Sequence, residues 1–205
     1  MIQARVQSQK ARLYPVRDPW HGKLGLQGDF QRVNAAAAVR AVEVLRKRGF
    51  SISDRAVREG LKASDWPGRM EIFKRAIAGG ADLLLDGAHN PASMEALVRN
   101  LESLYPRRAH LVIFGTSRDK NSFQMLKTLG TLFKNVILCR NPNPRSQEIE
   151  ILISHARPWF QGIFPAAHVS EALELAGRLS RPRDLVAATG SFYLIGEIRK
   201  KIKHA

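Results

Sequence analysis

From residue 70 onward the sequence alternates short apolar runs with longer stretches of helical periodicity, and this rhythm limits the fold more than any other feature. The runs Leu111-Val112-Ile113-Phe114, Val136-Ile137-Leu138-Cys139 and Leu185-Val186-Ala187-Ala188 contain no polar residue. They are too short for buried helices, and a run apolar on both parities suits a strand covered on both faces. Residues 70–76 and 81–85 read as two further strands. Only a short Gly79-Gly80 link separates them, so they should pair antiparallel. A weaker strand falls near Ile163-Phe164. Between the strands, Asn90 caps a helix with Pro91 at its first position. Met94, Leu97, Val98, Leu101 and Leu104 form its expected buried stripe. Further helices are expected over 122–132, over 147–155, from Ser170 and from Ser191. A hairpin followed by repeated strand–helix units is an α/β arrangement: an open, mostly parallel sheet between helices, with an antiparallel first hairpin. In such sheets ligands collect at the carboxyl ends of the strands.

The upstream part has a different texture. Pro15, Pro19, Gly22, Gly25 and Gly28 punctuate the first 30 residues, which are expected to be irregular. The alternation of Leu24 and Leu26 supports no more than a strand end or hairpin remnant. A strong helix is expected over 31–48, with Val33, Ala37, Ala41 and Leu45 one turn apart and Gly49 as its stop. Ser53 then caps a short helix reaching about residue 61. Lys62-Ala63-Ser64-Asp65 is polar and without period. The expected division is therefore 1–62 and 63–205.

Bulk composition excludes several classes. With 44% hydrophobic and 25% charged residues, the 205-residue chain has the balance of an ordinary globular protein. No apolar run approaches the roughly 20 residues of a membrane helix, and Met1-Ile2-Gln3-Ala4-Arg5 lacks the apolar core of a signal peptide. The single cysteine, Cys139, excludes an internal disulfide and fits a reducing, cytoplasmic setting; its apolar neighbours mark it as a packing residue. The net charge of +15 would suit nucleic acid. However, the basic residues are spread along the chain, and the densest cluster, Arg199-Lys200-Lys201-Ile202-Lys203, ends an expected helix, where cations complement the dipole. No stacking motif accompanies them. The expected partners are small anions, with no nucleic acid and no membrane.

Three loops follow apolar strands at the ligand-collecting edge. Asp86-Gly87-Ala88-His89-Asn90-Pro91 sets a carboxylate, a glycine and an imidazole ahead of a helix N-terminus; on residue types alone it reads first as a capped turn and second as a ribose- and anion-binding element. Gly115-Thr116-Ser117-Arg118-Asp119-Lys120 hangs two cations over the edge, as a solvated loop or a ligand contact. In Thr189-Gly190-Ser191-Phe192 the Ser191 hydroxyl can cap the last helix or touch a ligand. Asn34 sits near the start of the alanine-rich helix, where an amide can fray, cap or match an adenine edge. Trp66-Pro67-Gly68-Arg69 is a rigid turn aiming one guanidinium, suited to phosphate oxygens or to a surface ion pair. The sequence holds no G-x-x-x-x-G-K-[ST] loop, no metal-ligand spacing and no G-x-S-x-G elbow.

Together these strings resemble the folylpolyglutamate synthase and dihydrofolate synthase family, relatives of the Mur peptide ligases. The matching segments are Gly28-Asp29-Phe30-Gln31-Arg32-Val33-Asn34-Ala35-Ala36, Trp66-Pro67-Gly68-Arg69-Met70-Glu71, Asp86-Gly87-Ala88-His89-Asn90-Pro91, Asp119-Lys120 and Gly190-Ser191-Phe192-Tyr193-Leu194. They run in family order over about residues 24–199. The resemblance implies a Rossmann-like sheet of the Mur ligase C-terminal domain type, preceded by the tail of a central ATP-binding domain. It implies a ligase that phosphorylates a folate carboxylate with ATP and lets the amine of L-glutamate attack the acyl phosphate. By position, Asn34 should meet adenine, Arg69 the phosphates and Asp86 the ribose. His89, Lys120 and Ser191 should lie near the incoming glutamate. The phosphate loop and the Mg²⁺ ligands belong to the family's N-terminal part, absent here, so the chain alone should be inactive, as a truncated product or one half of a split enzyme. Phe30 stands where the family commonly has His, and Asn141-Pro142-Asn143-Pro144-Arg145-Ser146 matches a proline–arginine loop only loosely. The alternatives are a non-catalytic nucleotide- or glutamate-binding module and a fragment of a Mur-type peptide ligase.

Overall fold

The computed structural model describes residues 2–16, 18–106 and 109–204. The chain forms two compact units, Met1–Trp66 and Pro67–Ala205.

The first unit is helical. It holds α1 (Ile2–Ser8), α2 (Phe30–Lys47) and α3 (Asp54–Ala63). The sequence reading missed α1: it expected irregular backbone there, and no strand forms at Leu24 and Leu26. The reading of α2 and α3 holds to within two residues, and the Ser53 hydroxyl caps α3 by accepting from the Ala56 N–H at 3.1 Å. Burial is thin. In α2 only Gln31 and Ala35 are buried, and α3 buries none of its residues.

The second unit is one six-stranded sheet with helices. In chain order it runs β1 (Glu71–Ile77), β2 (Ala81–Leu85), α4 (Pro91–Leu104), β3 (Ala109–Phe114), α5 (Ser122–Leu129), β4 (Asn135–Cys139), α6 (Ile149–Ala156), β5 (Gly162–Ala166), α7 (Val169–Leu179), β6 (Leu185–Thr189) and α8 (Phe192–Lys203). The strands lie in the order β1-β2-β6-β3-β4-β5. The β1–β2 pair is antiparallel and all other pairs are parallel, as the sequence predicts. The link between the strands is three residues, Ala78 to Gly80, closed by the Gly80 N–H donating to the Ile77 carbonyl at 2.9 Å; Gly79 and Gly80 both take positive φ, +90° and +92°, which L side chains resist. Pro165 is tolerated because β5 is an edge strand, where a missing N–H breaks no inner ladder.

Alternation along the strands fills both faces. Leu83, Leu85, Ile113, Ile137, Val186 and Ala188 point to one core, closed by Ala172 and Ala176 of α7 and Leu194, Ile195 and Ile198 of α8. Leu84, Val112, Val136 and Leu138 have the opposite parity and are fully buried too, on the side of α4, α5 and α6. Each such side chain contributes roughly 1.5–3 kcal/mol by leaving water. Cys139 is part of the first core; burial pushes its thiol up to about 12, so it packs and does not react.

Two further expected details fail. Leu104 is 47% exposed, because α4 ends there and its last turn overhangs the core. Helix α5 stops at Leu129, three residues early; Gly130 ends it, and Thr131 and Leu132 continue in tighter turns.

Candidate functional site

Strand order decides which loops meet. β2, β6 and β3 are neighbours, so the loops leaving their carboxyl ends, 86–90, 190–191 and 115–121, emerge side by side. The loop after β4, 140–148, lies next to them.

Backbone hydrogen bonds tie these loops into one rigid edge. Asp86 is 3% exposed, and its two oxygens accept from different segments: Oδ2 from the Met70 N–H at 3.0 Å and Oδ1 from the Ala88 N–H at 2.9 Å. The Gly87 N–H donates to the Gly68 carbonyl at 2.8 Å, a second stitch to the Trp66–Arg69 turn. The Ala88 carbonyl in turn accepts from the Gly190 N–H at 2.9 Å and from Thr189 Oγ1 at 3.3 Å. Burial holds the Asp86 carboxyl above its ordinary range; the two N–H groups and the nearby Arg69 charge work in the opposite direction.

His89 donates from Nδ1 to the Gly87 carbonyl at 2.8 Å. Because a carbonyl only accepts, that nitrogen carries the hydrogen, and Nε2 of the neutral ring is left as an acceptor. Asn90 then opens α4 with a reciprocal capping box: Asn90 Oδ1 accepts from the Ser93 N–H at 2.9 Å and Ser93 Oγ from the Asn90 N–H at 3.2 Å. Ser191 caps α8, its hydroxyl accepting from the Tyr193 N–H at 3.1 Å. Accepting leaves the hydroxyl hydrogen free to donate, so capping and ligand contact are compatible.

The cation-bearing loop is held from the other side. The Thr116 carbonyl accepts from the Gln147 N–H at 2.8 Å, and the Arg145 carbonyl from the Arg118 N–H at 2.9 Å. Lys120 Nζ lies 2.9 Å from Asp119 Oδ2, and this contact lowers the Asp119 pKa. Asp119 is exposed and Lys120 partly so, and such a pair contributes little, so Lys120 can exchange Asp119 for a ligand carboxylate.

These loops enclose a cavity of about 150 Å³ lined by His89, Thr116, Ser117, Asp119, Lys120, Arg145, Gly190, Ser191, Phe192 and Tyr193. Thus His89, Lys120 and Ser191, picked from three separate strings, line one space. Arg69 stands beside it, its guanidinium carbon 5.1 Å from the Phe192 ring centre. Among the described residues Arg69 has no hydrogen-bond or ion-pair partner. Asn34 lies in the first unit, on α2, where its Nδ2 donates to Gln31 Oε1 at 2.9 Å.

Of the lining residues, sequence assigned only His89, Lys120 and Ser191 to a site; Arg145 and Phe192 are the most consequential of those it did not. Arg145 belongs to the loosely matching proline–arginine loop; its position after an apolar strand was the available signal. Phe192 was quoted only as part of a string, and nothing in its own spacing distinguishes it from a core aromatic. Among the described residues no group of three or more His, Cys, Asp or Glu side chains could hold a metal, and no helix is long and apolar enough to cross a membrane.

Fold and edge define an α/β domain whose strand-end loops form a small cationic cleft. The Mur ligase glutamate ligase domain matches residues 68–192, more than half of the chain, and the chain belongs to that family. It is 28% identical over 186 residues to the dihydrofolate synthase/folylpolyglutamate synthase of Bacillus subtilis, covering 88% of this chain and 41% of that protein. To the folylpolyglutamate synthase of Lacticaseibacillus casei it is 30% identical over 185 residues, covering 86% and 39%. The solved structure of Mycobacterium tuberculosis folylpolyglutamate synthase complexed with ADP superposes with a TM-score of 0.78 at 28% identity, over 87% of this chain and 41% of that one. The chain thus spans about two fifths of the length of these relatives.

Proposed function

We propose that the chain is the C-terminal part of an ATP-dependent ligase that joins L-glutamate to a folate, with dihydrofolate synthesis as a second activity open to the same site. The observation that carries this reading is the convergence of His89, Lys120 and Ser191 on one cavity, together with a second cation, Arg145. Glutamate offers two carboxylates and an ammonium. Lys120 and Arg145 match the carboxylates, the Ser191 hydroxyl can donate to one of them, and the free Nε2 of His89 can accept from the ammonium. The Arg69 guanidinium, with no hydrogen-bond or ion-pair partner among the described residues, suits nucleotide phosphate. Asp86 has lone pairs beyond its two backbone bonds for a ribose hydroxyl, and Asn34 is the candidate for adenine.

In the proposed reaction a folate carboxylate oxygen takes the γ-phosphoryl group of ATP, giving an acyl phosphate and ADP. The glutamate amine attacks the acyl carbon, the bond from that carbon to the phosphate oxygen breaks, and inorganic phosphate leaves as the amine loses a proton. This chain's residues bind and orient; Mg²⁺ and its ligands fall to a phosphate-loop domain that this sequence does not contain. The chain by itself should therefore release no ADP in the presence of folate and glutamate, and should take part in turnover only with such a domain.

Calorimetry on the purified chain tests the assignment. Arg69→Ala should weaken ATP binding about tenfold or more, the worth of charged hydrogen bonds, and leave L-glutamate binding near wild type. Lys120→Ala should do the reverse. Glutamate affinity indifferent to Lys120→Ala would contradict the assignment of the cavity.

A further inference from the structure

Phe192 is the first residue of α8, immediately after the Ser191 cap, and 39% of its surface remains exposed. A large apolar ring left half in water at the mouth of a polar cleft calls for a reason. Its neighbours supply one. The Arg69 guanidinium carbon lies 5.1 Å from the ring centre. The His89 imidazole lies 5.8 Å away, centre to centre, with the planes tilted by 53°. The ring also presses on the Asp86–His89 turn so closely that a Cβ at Gly87 would stand 2.4 Å from Cε1 and Cζ. One side chain thus touches the arginine, the histidine and the turn that carries the buried carboxylate.

The chemistry of this contact differs from that of a salt bridge. A carboxylate hydrogen-bonded to Arg69 would occupy its N–H groups; the Asp86 carboxyl lies near enough to feel the Arg69 charge but spends its oxygens on the Met70 and Ala88 N–H groups. An aromatic face attracts the guanidinium through its quadrupole and consumes no N–H donor. The Arg69 charge is therefore steadied while its donors stay open, and among the described residues no other hydrogen-bond or ion-pair partner competes for them. The glycine at 87 lets the ring lie this close: a Cβ there would meet the ring edge at 2.4 Å, so a larger residue would oblige the ring to shift.

We propose that Phe192 is a positioning residue, an aromatic platform that pre-orients Arg69 toward an incoming phosphate group and braces the His89 ring against the same turn. The phosphate part rests on the nucleotide reading of the edge given above. A structural filler would be replaceable by any apolar residue; a platform needs an aromatic face. Phe192→Tyr should therefore keep wild-type behaviour, and Phe192→Leu should not.

Two measurements on the purified 205-residue chain test this. The first is independent of ligand: the Arg69 Nε–H resonance should show an aromatic ring-current shift in the wild type and in Phe192→Tyr, and lose it in Phe192→Leu with the melting temperature little changed. The second is a double-mutant cycle on ATP binding. Phe192→Leu should weaken ATP about two- to fivefold, the scale of an exposed to partly desolvated cation–π contact, and should weaken it no further in an Arg69→Ala background. A ring-current shift that is absent, or that persists in Phe192→Leu, overturns the platform. So does an equal loss of ATP affinity in the presence and absence of the Arg69 side chain. A wild-type chain that shows the ring-current shift and yet takes up no nucleotide would overturn the nucleotide reading and the phosphate role together, which separates that failure from failure of the platform itself.

Discussion

Asp86 shows how much one residue can carry. Sequence reading offered it as a hydroxyl acceptor for a ribose; in the fold it also joins two segments sixteen residues apart through the Met70 and Ala88 N–H groups. That second task was invisible in sequence, because it depends on the turn after Trp66 folding back over β2. Asp86→Asn keeps one acceptor oxygen but sets an NH₂ group against the other backbone N–H. It should cost about 1–3 kcal/mol in denaturant unfolding, the penalty of an unmet buried donor. The pH dependence has a defined direction. Burial raises the Asp86 pKa in the fold above its ordinary 3.8, so the folded state holds this proton more tightly than the unfolded one. Stability from this group is full below that ordinary value and is lost as the pH rises through the raised value. The wild type should show this decline and Asp86→Asn should lack it; an identical pH profile in both would refute the raised carboxyl. Phe192 and Arg145 mark the limit of legibility at this scale, since their roles come from what the topology brings beside them.

At the scale of elements, the strands were the most readable part, because an unbroken apolar run of four or five residues admits few other structures. The helix starts were nearly as plain: Ser53, Asn90 and Ser191 all cap as their residue types suggest. Helix ends were less so. Leu104 continues the apolar period of α4 by sequence, but the core runs out beneath it, and a periodic pattern carries no information about where the sheet stops. Helix α1 has no apolar stripe of its own to announce it. The α4 cap ties element to site, since His89 and Asn90 are adjacent and the Ser93 hydroxyl also receives the His89 N–H at 3.1 Å. Asn90→Ala should cost about 1 kcal/mol in unfolding free energy and should weaken glutamate binding by loosening His89. Loss of stability with unaltered glutamate affinity would show that the cap and the histidine are independent.

At the scale of the molecule, the two units differ in how they are held. The second has a core closed on both faces of its sheet. In the first, Val33, Leu45 and Phe50 are 55%, 37% and 58% exposed, and α2 buries only two residues. A helix draws most of its stability from packing, so the first unit should open at lower cost. Brief digestion with a nonspecific protease should cut before Trp66 and leave a resistant fragment reaching from there toward the C-terminus. First cuts between residues 81 and 200 would contradict this ranking.

The central claim is that the loops after β2, β3 and β6 form one site for nucleotide and glutamate. Backbone amide resonances of the chain, followed during separate titrations with ATP and L-glutamate, test it most directly. The account predicts that ATP moves the amides of Arg69 and of Asp86 through His89, and that glutamate moves those of His89, Lys120 and Ser191, each saturably. Saturable shifts confined to the opposite edge, around Gly79, Lys134 and Arg181, or no shift with either ligand at millimolar concentration, would contradict it.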